Sequence, residues 1–296
     1  DGTNERRYSP VQIGTDTGWM AVYTGSSHCI AIKIDGSIWA WGDNTYGQIG
    51  DGTNQTRYSP VQIGTDKDWA LVSVGTFHST AIKTDGTLWA WGCNEYGQIG
   101  DSTNEDKKTP VQIGTDTDWD VISTGSSHSV AIKTDGSIWA WGNNKYGQLG
   151  VVQYEEKNIP IQIRKDTDWQ SISSNSSRSA ALKSDGTLWA WGYTCEAYDF
   201  MAIGNRLEPE KISEDEDWEA FTNSARHRLA IKTNGSLWAW GNNEYGQIGD
   251  GTNERRYSPV QIGTDTDWKS ISAGESHSIA IKTDGTLWAW GDNRAG

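Results

Sequence analysis

The chain has 296 residues, with 39 acidic side chains against 25 basic ones and a net charge of −14. Such a surface repels a phosphate backbone, whose binding depends on clustered Lys and Arg, and so argues against nucleic acid as a direct partner. No apolar run approaches the roughly 18 residues of a membrane span, which argues against membrane insertion.

Taken from the N-terminus, residues 1–17 recur unchanged as residues 250–266, the mark of repeat duplication. The run Trp-Ala-Trp-Gly appears six times, starting at Trp39, Trp89, Trp139, Trp189, Trp238 and Trp288, at spacings of 50, 50, 50, 49 and 50 residues. A fixed period near 50 overrides the usual reading of length as domain count and points to a propeller or an array of small units. Each core is preceded by Asp-Gly, or by Asn234-Gly235 in the fifth copy, between two β-favouring runs. That pattern predicts a hairpin with a type I′ turn, in which both central residues take positive φ.

One full unit, residues 51–100, reads as four short strands. They are Pro60-Val61-Gln62-Ile63, Trp69 to Val74, Ser79 to Lys83 and Leu88 to Gly92, separated by polar links and turns. Four strands per unit fit a propeller blade better than a solenoid turn. Alternation puts Trp89 and Trp91 on one face of the sheet and Leu88 and Ala90 on the other. A Trp-bearing face against an Ala-bearing face of the next blade then gives large-to-small packing. The 18 Trp are used up by this scheme: twelve in the cores, and Trp19, Trp69, Trp119, Trp169, Trp218 and Trp268 at the inner strands. Cys29, Cys93 and Cys195 sit at unrelated repeat positions and form neither a disulfide framework nor a metal-ligand spacing.

The run Gly-x-x-His-x-x-Ala-Ile-Lys-x-Asp-Gly-x-Leu-Trp-Ala-Trp-Gly-x-Asn-x-Tyr-Gly-Gln-Ile-Gly, almost unbroken from Gly125 to Gly150, resembles the repeat of the regulator of chromosome condensation family. The resemblance covers essentially the whole chain. It implies a β-propeller used mainly as a protein-binding platform, in a family that includes a guanine-nucleotide exchange factor, a plant ultraviolet-B photoreceptor and a bacterial β-lactamase inhibitor. Relatives with such different tasks leave function to be argued from the site. The photoreceptor's clustered Trp would fall at turn positions held here by Ser26, Thr76 and Ser126. Neither a partner-inserting wedge nor a basic tail, which exchange and chromatin binding would call for, is visible.

The family usually has seven blades, whereas six repeats are present here. The fold expected is therefore all-β: one propeller domain over residues 1–296, with six four-stranded blades. The strand at 8–14, containing Pro10-Val11-Gln12-Ile13, is expected to pair with the last blade, close the ring and cover both open edges.

Alternating strands sort the turns onto two faces. The Asp-Gly turns and Gly-Thr-Asp-x-Asp links make one face acidic, with Asp66, Asp68, Asp85, Asp116 and Asp118 among its residues. A ring of one sign can steer a basic partner or hold cations, and it is equally what turn and cap residues produce when repeated. His28, His78, His128, His227 and His277 share one repeat position, held by Arg178 in the fourth unit. Spread around an axis, they suit structural hydrogen bonds better than shared metal ligation. No phosphate-cradling loop, catalytic triad or isolated carboxylate pair is present, so neither an enzyme nor a cofactor is expected.

The repeat breaks in one region. After Gly192 the expected Asn-x-Tyr-Gly-Gln-Ile-Gly is replaced by Tyr193-Thr194-Cys195-Glu196-Ala197-Tyr198-Asp199-Phe200-Met201, and the preceding loop reads Val151-Val152-Gln153-Tyr154. The neighbouring turns become Asn175-Ser176-Ser177-Arg178 and Ser224-Ala225-Arg226-His227-Arg228. All four departures fall on the loop face of adjacent repeats, and aromatic, Met and Arg side chains are enriched at interface hot spots. A decayed copy whose aromatics refill lost packing is the competing reading. The expectation is a non-enzymatic protein-interaction module whose partner-binding candidates are Tyr154, Arg178, Tyr193, Tyr198, Phe200, Met201, Arg226 and Arg228. The alternatives are a carbohydrate- or cation-binding module with sites repeated around the ring, or a structural segment of a larger surface or filament protein.

Overall fold

The computed structural model describes residues 2–5, 8–193 and 205–294. The first blade is built from β1 (Trp19–Thr24), β2 (His28–Lys33), β3 (Ile38–Gly42) and β4 (Arg57–Gln62), antiparallel and in sequence order across the sheet. Four more sheets repeat this order, and the sixth holds three strands, Trp268–Ala273, His277–Lys282 and Leu287–Gly291. The fold is thus an all-β, six-bladed propeller. The first strands of consecutive blades lie side by side: Ser73 Oγ is 2.9 Å from Thr124 Oγ1, which places these strands innermost. Among the described residues no helix is long and apolar enough to cross a membrane.

The blades pack as the alternation predicts. Leu88 and Ala90 of the second blade, with Ile99 and Ile113, bury Trp119 and Trp141 of the third. Trp141 is wholly buried, with its indole N–H on the Gln98 carbonyl at 2.9 Å. Within a blade the inner-strand Trp meets the core Trp edge to face; Trp69 and Trp89 lie 5.8 Å apart at 76°. Lys83 seats its ammonium over both rings, at 4.8 and 4.7 Å from the centroids, and within 2.6 Å of Asp66 and 3.1 Å of Asp68. The same Lys, two Asp and two Trp recur around the propeller, for example at Lys183 and Lys282. Asp85, in the turn, accepts from the Thr87 amide and hydroxyl. The acidic face is accordingly built of local clamps and turn caps.

Two expectations are corrected. The hairpin turn is not type I′: only its Gly has positive φ, +78° at Gly86, and Asp85 does not. Lys83 and Thr87 remain paired, and the Gly86 amide donates to the Lys83 carbonyl at 2.9 Å. This is the three-residue loop, a type I turn followed by a left-handed residue. The extra residue brings Gly86 against the next repeat, where a Cβ would lie 2.1 Å from the Thr117 carbonyl oxygen.

The second concerns closure. Residues 8–14 form no strand, and the Leu287–Gly291 strand pairs only with His277–Lys282. Edge pairing requires the sixth blade to pack on the first, and both of those faces are open. Leu287 is 68% exposed where Leu88 is 0%, and Val22 is 56% exposed where Val72 is 2%. The N-terminal segment is held instead on the first blade, with the Gly2 amide on the Tyr58 carbonyl, as Gly52 is on Lys108 one repeat later.

The turn contact gives a direct test. Gly86→Ala combines positive φ with a backbone clash and should cost about 2–4 kcal/mol. Gly285→Ala occupies the same turn in the last blade, at φ +85° with nothing within 4 Å of the added Cβ. It should cost only about 1–2 kcal/mol from the left-handed backbone. Urea unfolding of both variants checks the difference, and equal losses would sink the inter-repeat role of the turn.

Candidate partner-binding site

On the loop face four of the five seams between blades are tied by a buried His–Ser pair. The Nε2 atoms of His28, His78, His128 and His227 lie 2.8, 2.9, 2.9 and 2.7 Å from the Oγ atoms of Ser79, Ser129, Ser179 and Ser278. Each Ser then donates to a Gln carbonyl of the preceding repeat's loop; Ser129 Oγ reaches Gln98 O at 3.0 Å. That loop is held by its own side chains. Asn94 Oδ1 accepts from the Ile99 amide, and Gln98 Oε1 from the Tyr96 amide. Burial drives the imidazole pKa down, to about 4 for His28 and His227 and about 3 for His78 and His128. The histidines are therefore neutral seam bonds, as expected of a structural role.

The seam between the fourth and fifth blades breaks this rule on both sides. Arg178 stands at the His position and Arg228 at the Ser position. Arg178 Nε donates to the Tyr193 carbonyl at 2.8 Å and Nη1 to the Ala225 carbonyl at 3.3 Å, so its guanidinium spans the seam. Arg228 Nε donates to Asn223 Oδ1 at 3.2 Å. The turn before Arg178 changes with it. In the third repeat that position is Gly125, where a Cβ would lie 2.2 Å from the His128 ring. With no imidazole beneath, Asn175 is accommodated, pairs with Arg178 across a tight turn, and donates to the Asn223 carbonyl at 2.6 Å. In the fifth repeat Ser224 keeps its His by a 3.1 Å bond to His227 Nδ1.

These substitutions leave a cavity of about 380 Å³ on the loop face. Tyr146 and Tyr193 wall one side, edge to face at 5.1 Å and 68°. Asn175, Ser176, Ala225 and Arg178 also line it, the Arg178 guanidinium 5.8 Å from the Tyr193 ring centroid. A second void of about 10 Å³, the size of one water, shares Arg178 and Tyr193 with it and is also lined by Arg206 and Arg228 among others.

Of the sequence-predicted residues, Arg178, Tyr193 and Arg228 converge here. Tyr154 is exposed on its loop and lines neither space. Arg226 pairs with Glu275 of the next blade at 3.1 Å and also lies outside both. Tyr198, Phe200 and Met201 fall outside the described residues. Sequence reading missed Tyr146, a regular repeat residue without any distinguishing signal, and Arg206. A signal for Arg206 did exist. Arg57 and Arg256 each have an Asp six residues earlier, Asp51 and Asp250, to which Nε donates. Phe200 holds that place before Arg206.

The site sits on a propeller made of tandem repeats whose loops face a single side. A model of the RCC1-like domain matches residues 65–296, and models of the regulator of chromosome condensation (RCC1) repeat match residues 35–82 and 21–48. The chain belongs to the RCC1-like domain family. No curated protein matches it in sequence. Among solved structures it is similar to human WBSCR16, with 20% identity over 90% of this chain and 72% of that one, at a TM-score of 0.78. It is also similar to yeast RCC1 (Prp20) bound to Kap60, with 20% identity over 92% and 70% and a TM-score of 0.79. Prp20p from Saccharomyces cerevisiae, in a structure described with its binding to Gsp1p and histones, matches with 20% identity over 86% and 66% and a TM-score of 0.70. At that identity the likeness is one of fold.

The His–Ser seams carry a pH signature. Folded imidazole pKa values near 3 to 4 lie below the unfolded value of 6.5. The unfolded chain therefore takes up protons first, and stability falls as pH drops through 6.5 until the folded rings titrate. Between pH 7.5 and 5 the expected loss is roughly 2 kcal/mol per ladder histidine. Denaturant titrations across that range should show it, and His128→Gln should remove about a quarter of the slope shared by the four rings. A flat profile would contradict the buried neutral ladder.

Proposed function

We propose that this propeller is a non-enzymatic protein-interaction module that engages its partner through the loop face of the fourth and fifth blades. The observation carrying this reading is the concerted change at one seam. Arg178, Arg228, Asn175 and Tyr193 replace His, Ser, Gly and the usual loop residue at one seam, and Arg178, Asn175 and Tyr193 line a cavity there. Independent decay would scatter such changes over the ring. Aromatic and Arg side chains around a pocket are what interface hot spots are made of. The acids of the opposite face are engaged by lysines and turn groups, which leaves the loop face as the chemically distinctive one.

The relatives support a binding role at the level of the class, since yeast RCC1 is seen bound to Kap60 and Prp20p is described as binding Gsp1p and histones. Those partners do not transfer at this identity. The net charge of −14 disfavours nucleic acid here as well.

Affinity capture from source cells with two baits tests the reading. One bait is the native chain; the other carries Tyr146→Ser and Tyr193→Asn, which strip the aromatic wall. A partner retained by the native bait should be depleted at least about tenfold on the variant, as expected for removing hot-spot aromatics. Equal retention, or no partner on either bait, would overturn the assignment of function to this face.

A further inference from the structure

The sixth blade lacks an outer strand, and the chain carries the sequence of that strand elsewhere. The strand Leu287–Gly291 reads Leu-Trp-Ala-Trp-Gly, as does Leu237–Gly241 in the fifth blade. In the fifth blade the outer partner of this strand is Arg256–Gln261. Gln261 lies opposite Trp238 and Val260 opposite Ala239, and the Ile262 amide donates to the Leu237 carbonyl at 2.8 Å. Among the described residues, no strand pairs with the outer edge of Leu287–Gly291. Residues 8–13 repeat residues 257–262 letter for letter, yet they form no strand. An edge and the strand that fits it are both present and are not paired with each other.

Both halves also lack apolar cover. Ile13 is 37% exposed, whereas Ile113, which follows the same strand in the second blade, is 2% exposed and packs with Ile82 and Leu88. The counterparts of Ile82 and Leu88 in the sixth blade, Ile281 and Leu287, are 39 and 68% exposed. Within one chain, residues 8–13 lead directly into the first blade, which starts at Trp19. They reach the edge only if the first blade packs on the sixth, and those two faces are open. A second copy is free of that tether. We propose that residues 8–13 of one copy add as the fourth strand to the Leu287–Gly291 edge of another, and that two copies exchange this segment reciprocally. The fifth blade supplies the register: Gln12 opposite Trp288, Val11 opposite Ala289, and the Ile13 amide on the Leu287 carbonyl. Ile13 then covers Ile281 and Leu287. Main-chain bonds give such an added strand its affinity, and the alternate side chains give it specificity. Reciprocal exchange makes two identical junctions and closes as a dimer, in which neither copy keeps the open edge that would template further pairing.

Size-exclusion chromatography with light scattering on the full chain tests this. The mass should rise with concentration from one chain to two. Ile13→Pro removes the amide that the Leu287 carbonyl would receive and should weaken association at least about tenfold. Residue 13 lies outside the packed blades, so at a concentration where both proteins are monomeric the variant should melt with the native chain. Cysteines separate pairing between copies from pairing within one, in a chain whose Cys29, Cys93 and Cys195 are changed to Ala. Chains with Val11→Cys mixed with chains with Ala289→Cys should form a disulfide-linked dimer that neither forms alone. A chain that stays monomeric at every concentration, or association that Ile13→Pro leaves unchanged, would overturn the proposal. So would a chain bearing both cysteines that cross-links within itself while the mixed single variants do not. In that case residues 8–13 close their own ring. The mass measurement keeps the natural cysteines and decides the matter without the cross-link.

Discussion

In four of the six blades the second Trp of the Trp-Ala-Trp strand reaches the loop of the blade before it. The indole N–H atoms of Trp91, Trp141, Trp191 and Trp290 sit 2.9 Å from the carbonyls of Gln48, Gln98, Gln148 and Gln247. A large apolar body is buried and its single polar atom satisfied in one contact. That contact dictates the loop that receives it. The Gln side chain folds back to its own loop, Ile49 goes into the core, and Gly50 leaves room where a Cβ would lie 2.8 Å from the Trp91 Nε1. No blade is complete alone, because its loop is finished by the next blade's indole and its indole by the previous blade's loop. Stability in such a chain resides in the seams as much as in the sheets.

This mutual dependence explains why so much of the architecture was legible. Strand positions, the face of each Trp and the partner of each face follow from alternation and from a period that repeats the same contact at each of the five seams. The hairpin turn was misread for a local reason. Asp-Gly serves both a two-residue turn and a three-residue turn with a bulge. The choice between them is made by the next repeat, whose backbone packs on the glycine, and that contact is invisible in a short window. Closure was misread for a global reason. The N-terminal segment has a strand's sequence, but pairing depends on how far each blade rotates relative to the last. That angle is set by side-chain volumes at every seam and accumulates around the ring.

The candidate site was legible only where it departs from the repeat. Arg178, Arg228 and Tyr193 stand out because their counterparts read otherwise, and they meet in space because equivalent positions of neighbouring blades adjoin. Tyr146 carries no such mark. It has the same sequence context as Tyr46 and Tyr96 and differs only in facing Tyr193, whereas Tyr46 faces Phe77 at 5.3 Å. Arg226 is the opposite case. It departs from the repeat, yet it lines neither space and instead pairs with Glu275 of the next blade at 3.1 Å.

The two faces of the propeller treat charge differently, and this bears on how a repeat protein acquires a function. On the turn face a buried lysine is matched in its own repeat by two aspartates and two indoles, so its charge is balanced as often as it is copied. On the loop face the His–Ser rungs are neutral, and the ion pair that crosses a seam there, Arg226 to Glu275, lies outside that ladder. Replacing one neutral rung with Arg178 keeps the seam tied through the carbonyls of Tyr193 and Ala225. A rung is the place where a chain built of near-identical units can depart from its repeat without losing its blade, and one altered rung breaks the symmetry that would otherwise give every seam the same ligand.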